Sequence, residues 1–99
     1  MGSAAFTDVH YELFSASFCG ACARTRSVLQ AATGSLPGSS LREHDVALEP
    51  DLAEANGIEA TPTVIVRNAR GDEVFRAVGV PTVDQAMSAA ALAVAGRTR

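Results

Sequence analysis

Lysine and tryptophan are absent from this 99-residue chain, and aromatic residues make up only 5% of it. Without a large aromatic set, the core has to be assembled mainly from Val, Leu, Ile and Ala. All eight basic residues are arginine, they are scattered, and the net charge is −3, so there is no basic stripe of the kind that grips nucleic acid. No apolar run is long enough to span a bilayer. The start, Met1-Gly2-Ser3-Ala4-Ala5-Phe6, has no basic stretch followed by an apolar one, so a secretory signal is not expected. Two cysteines cannot build a disulfide framework. There is no internal repeat and no low-complexity linker. What remains is 47% hydrophobic and 19% charged, the balance of one soluble globular domain over residues 1–99.

The two cysteines carry the most information. Phe18-Cys19-Gly20-Ala21-Cys22 stands where an apolar segment ends and a polar helical one begins. A C-x-x-C at a strand-to-helix junction in a reducing compartment reads as a dithiol redox site, and the expected compartment is the cytoplasm. Further along, Thr61-Pro62-Thr63 opens a β-branched segment, and an X-Pro bond there is a candidate cis peptide.

The patterning predicts seven elements. Val9 to Phe14 reads as a strand, and a helix follows from Cys19 to about Thr33, with Gly34 as its stop. Leu41 to Ala47 reads as a short strand ending at an acidic corner formed by Glu43, Asp45, Glu49, Asp51 and Glu54. Pro50 to Asn56 is a short helix with Gly57 as its terminator. Thr63 to Val66 is a buried strand, 68–72 a hairpin turn, and Glu73 to Val78 the returning strand. Thr82 and Gln85 are spaced as a capping box for a last, alanine-rich helix ending near Ala95. His10 and His44 are expected at solvated strand-edge positions. The order β-α-β-α-β-β-α asks for one parallel pair with a right-handed crossover and one antiparallel hairpin. The fold class is therefore α/β, a mixed four-stranded sheet flanked by three helices, with its core over roughly 9–95.

That order, the C-x-x-C at the first helix and the Thr-Pro-Thr before the third strand resemble the thioredoxin superfamily. The run from Pro50 to Thr63, with its Gly57-Ile58-Glu59-Ala60-Thr61-Pro62-Thr63, looks very like the segment that leads into the family's cis-proline. The chain lacks the family's extra N-terminal strand and helix, which brings it closer to the minimal core of glutaredoxins. The resemblance implies that Pro62 is cis, that Thr61 and Pro62 face the sulfurs and pair with an extended substrate, and that Gly79 lies near the same groove. It makes Phe18, Gly20 and Ala21 candidate substrate contacts beside the catalytic Cys19 and Cys22. Three positions depart from the family. Phe18 replaces a tryptophan, Gly20-Ala21 replaces Gly-Pro, and Leu13 stands where thioredoxins carry a buried aspartate. Glu12 is adjacent to it, but strand alternation points Glu12 to the opposite face.

The chemistry follows from spacing. A cysteine at a helix N-terminus faces unpaired amides and the positive end of the dipole, which favour its thiolate. Cys19 is thus the expected nucleophile, with Arg24 one turn on as a source of positive potential. Cys22, three residues into the helix, is the expected resolving thiol. No cofactor or bound metal is expected. The expected partners are client proteins with disulfides and a separate reductase or low-molecular-weight thiol as electron donor, with the protein itself a monomer. Two alternatives stay open at this point: a glutaredoxin-like metal or Fe–S binding module, and a redox-inactive interaction domain of the same shape.

Overall fold

The computed structural model describes residues 6–95. Seven elements follow in the order β1 (His10–Ser15), α1 (Gly20–Gly34), β2 (Ser40–Asp45), α2 (Pro50–Ala55), β3 (Thr63–Arg67), β4 (Glu73–Val78) and α3 (Val83–Ala95). The sheet order is β2-β1-β3-β4, parallel between β1 and β2 and antiparallel elsewhere. This is the mixed four-stranded α/β arrangement expected from the sequence. The strand β1 is central, so His10 is not an edge residue as expected; it is half-buried and its Nδ1 lies 2.7 Å from Ser40 Oγ.

Alternation along β1 sends successive side chains to opposite faces and so builds two cores. Tyr11 and Leu13 join Val64 and Val66 under α1 and α3, packed on Leu29, Ala32 and the buried alanines of α3. Small residues on that helix let its backbone come close to the sheet. The Tyr11 hydroxyl donates to the Ala86 carbonyl at 2.7 Å, tying strand to helix, and burial pushes its pKa up to about 12. On the other face Phe14 and Ile65 meet Ala53 of α2 in a smaller cluster. His44, expected in solvent, is only 6% exposed there and lies against Phe14 with ring centroids 5.0 Å apart. The reason is register: His44 stands opposite Phe14 in the parallel pair and shares its covered face.

Local chemistry explains the boundaries. Thr82 and Gln85 exchange backbone-to-side-chain hydrogen bonds of 2.9 and 3.0 Å, the expected capping box. After α2, Gly57 adopts a positive φ of 66° while its N–H donates to Glu54 O and Ile58 N–H donates to Ala53 O, a Schellman closure. Gly34 plays no such part. It is the last residue of α1, Ser35 caps the helix in a right-handed conformation, and the left-handed turn falls later at Gly38. The 68–72 turn is held by Asn68, whose side-chain oxygen accepts from Arg70 N and Asp72 N.

Candidate active site

The parallel register that ends β1 at Ser15 delivers the chain into α1 through a short loop, 16–19. Phe18 takes a left-handed φ of 57° in that loop, and its ring is fully exposed. Cys19 is the N-cap of α1, in extended conformation. Its Sγ accepts the Cys22 amide at 3.1 Å, the place an N-cap oxygen occupies in other helices. Cys19 is half-buried and Cys22 is 1% exposed. The two are joined in a disulfide with Cα atoms 5.2 Å apart. Cys19 lines an open groove, whereas Cys22 is covered by the fold.

Gly20, the first residue of α1, is exposed, and a Cβ built on it would lie 3.8 Å from Arg24 Nη1. The Arg24 guanidinium therefore folds back over the first turn, where it adds positive charge beside the cysteine loop. Ala21 is half-buried, and its carbonyl accepts from the buried Thr25 hydroxyl at 2.9 Å.

Thr61-Pro62 is a cis peptide. Thr63 pairs with Phe14 on one side and Val78 on the other, so Thr61, Pro62 and Gly79 stand at the sheet end from which the cysteine loop leaves β1. Gly79, at a positive φ of 96°, donates its N–H to the Pro62 carbonyl at 2.9 Å. A side chain at Gly79 would be strained in that conformation. The structure thus arranges the expected residues in two groups. Phe18, Cys19 and Gly20 share the wall of a groove of about 780 Å³ that runs toward β2. Thr61, Pro62 and Gly79 form the second group, linked to each other.

Leu13 is fully buried under α1, and Glu12 points the other way, as alternation requires. The Glu12 carboxylate accepts from Arg67 at 3.0 Å and lies 3.6 Å from His44 Nε2. It is committed on the far face.

Sequence reasoning placed Glu43 in an acidic corner but missed the partners it finds on the groove wall, Arg26 and Ser15. Glu43 accepts two hydrogen bonds from Arg26 and one from Ser15, each 2.7 Å. The Arg26 hydrogen bond is the largest influence holding the Glu43 carboxyl below its ordinary value, with burial partly opposing it. Nothing local signals this pairing, because a helix and a parallel strand must pack before the two residues meet. The expected acidic corner is accordingly not all free charge: Glu43 is paired, and Glu49 lies 3.2 Å from His44 Nδ1. Among the described residues no group of three or more His, Cys, Asp or Glu is placed to hold a metal.

A dithiol that closes across a helix N-terminus on this sheet, with one cysteine in an open groove and the other buried, is the site of a thiol–disulfide oxidoreductase. No protein-family model matches the chain. It is 35% identical over 71 residues to a thioredoxin of Chlamydia muridarum, a match covering 72% of this chain and 69% of that protein. The fold superposes on a chloroplastic thioredoxin z with a TM-score of 0.77 at 23% identity, covering 96% of this chain and 86% of that one. It also superposes on thioredoxin NaTrxh from Nicotiana alata with a TM-score of 0.70 at 28% identity, covering 80% and 67%. The chain belongs to the thioredoxin family.

Proposed function

We propose that the protein reduces or exchanges disulfides of client proteins, with Cys19 as nucleophile and Cys22 as resolving thiol. The observation that carries this reading is the unequal exposure of the two disulfide-forming cysteines across one helix N-terminus. The Cys19 thiolate attacks one sulfur of a client disulfide. A mixed disulfide forms and the other client sulfur leaves as a thiolate, which takes a proton from water. Cys22, deprotonated in turn, attacks Cys19 Sγ in the mixed disulfide. The client leaves with two thiols, and the enzyme retains the Cys19–Cys22 disulfide. Two electrons have moved to the client, and a separate reductase or low-molecular-weight thiol restores the dithiol.

The α1 amides and Arg24 favour the Cys19 thiolate. Phe18, Gly20, Ala21, Thr61, Pro62 and Gly79 are the proposed client-contact surface, with the exposed Phe18 ring as an apolar rim. A monomer in a reducing cytoplasm is the matching setting.

Cys19→Ser is expected to abolish reduction of a protein disulfide such as that of insulin. Cys22→Ser is expected to accumulate mixed disulfides that non-reducing electrophoresis resolves. Full activity in Cys19→Ser would overturn the assignment. Metal analysis and the absorbance of freshly purified protein separate it from a metal or Fe–S module shared between two copies.

A further inference from the structure

The charge cluster across the groove from Cys19 has no part in the exchange steps above. Ser15 is the last residue of β1, Glu43 lies on β2, and Arg26 lies on α1 just beyond Cys22. One carboxylate joins all three elements through its three hydrogen bonds. All three residues line the same groove as Phe18, Cys19 and Gly20. The bidentate geometry fixes the guanidinium and holds a carboxylate of opposite charge against it.

The other charged groups around Cys19 are accounted for separately. Arg24 covers the start of α1 at Gly20. Asp45 accepts the Ala47 amide at 2.8 Å, and Glu49 is occupied by His44. Both members of the Arg26–Glu43 ion pair line the groove that Cys19 also lines, so removing one partner leaves the other's charge uncompensated there.

We infer that Glu43 is a positioning residue for disulfide exchange, which anchors the strand end leading into Cys19 and masks the Arg26 charge that the Cys19 thiolate would otherwise feel. This rests on the reading of Cys19 as nucleophile. Removing the Glu43 charge leaves Arg26 bare and favours the thiolate. Removing the Arg26 charge leaves Glu43 bare and favours the thiol. A purely structural role would loosen the same loop in both variants and move Cys19 in one direction.

The test is the thiolate absorbance of Cys19 followed against pH in a Cys22→Ser background, in Glu43→Gln, Arg26→Gln and the double variant. At fixed pH below the midpoint, Glu43→Gln is expected to raise the thiolate fraction about twofold and Arg26→Gln to lower it about twofold, the scale of one unit charge acting through largely aqueous surroundings. The double variant returns toward the parent, and both single effects shrink in about 1 M salt. Shifts of the same sign, or none in either single variant, overturn the proposal. The chain with both cysteines is oxidised in parallel. If it cannot form the Cys19–Cys22 disulfide, the oxidoreductase reading fails first and the masking role falls with it; if the disulfide forms and the opposed shifts are missing, only the masking role fails.

Discussion

The two faces of the sheet are built on different physics. Under α1 and α3 the strands present Tyr11, Leu13, Val64 and Val66 to a dry helix layer, where the Tyr11 hydroxyl is satisfied by Ala86 and the Thr25 hydroxyl by Ala21. On the α2 face a short helix and its flanks cover a smaller apolar cluster around Phe14 and Ile65. The rest is a polar web in which Glu12 holds Arg67, Arg67 reaches Asn56 at 2.6 Å, and His44 lies between Glu12 and Glu49. The buried Cys22 sits on the helix that covers the dry face. The difference shows why Glu12 cannot stand in for the acid that the family places at position 13. It is one residue away in sequence and on the wrong side of the sheet. Leu13 puts an apolar side chain where that acid would stand.

The largest expected effect tests the dry face. Leu13→Ala removes a fully buried side chain and should cost about 3 kcal/mol, partly through the cavity left behind. Glu12→Gln, its neighbour on the wet face, should cost about 1 kcal/mol or less, because that pair is partly solvated. Urea denaturation of both variants measures the contrast, and equal losses would break it.

Tyr11→Phe comes next. It leaves the Ala86 carbonyl without its side-chain donor and should cost about 1 kcal/mol at neutral pH. The sign of its pH dependence follows from the raised pKa. The native state favours the neutral phenol, so its contribution is full below the unfolded value of 10 and is lost as pH climbs toward about 12. The stability gap between parent and Tyr11→Phe should therefore narrow over that window in alkaline denaturation curves.

The smallest effect has the opposite sign. Phe18 holds a left-handed φ with a ring that packs on nothing. Phe18→Gly should stabilise the fold by about 0.5 kcal/mol, since a left-handed residue with a side chain costs about 1–2 kcal/mol and glycine loses some of that gain to entropy. The same change should weaken client reduction, read as a raised KM for the protein disulfide. A destabilised variant would mean that the ring has a packing role.

Much of this architecture was legible because its signals are local. The β-branched run 63–66, the Thr82–Gln85 box, the Pro50 start of α2 and the C-x-x-C at a strand-to-helix junction each announce themselves within a few residues. The direction of Glu12 followed from alternation alone. What the sequence hid depends on which strands become neighbours. His44 is buried because β2 aligns it with Phe14, and His10 is half-buried because β1 is central. Glu43 finds Arg26 only after α1 crosses over to meet β2. Gly34 looked like a helix terminator, but Ser35 closes α1 with its own amide and the left-handed turn moves to Gly38.

The most direct measurement is the equilibrium between dithiol and disulfide at Cys19–Cys22, read by thiol alkylation across a redox-buffer series on metal-free protein. The account predicts one two-electron transition, tenfold per about 30 mV, with a midpoint at or above about −270 mV because Ala21 leaves the helix start less constrained than proline would. A protein that never closes the disulfide, and retains two independently alkylated thiols under oxidising buffer, would contradict it.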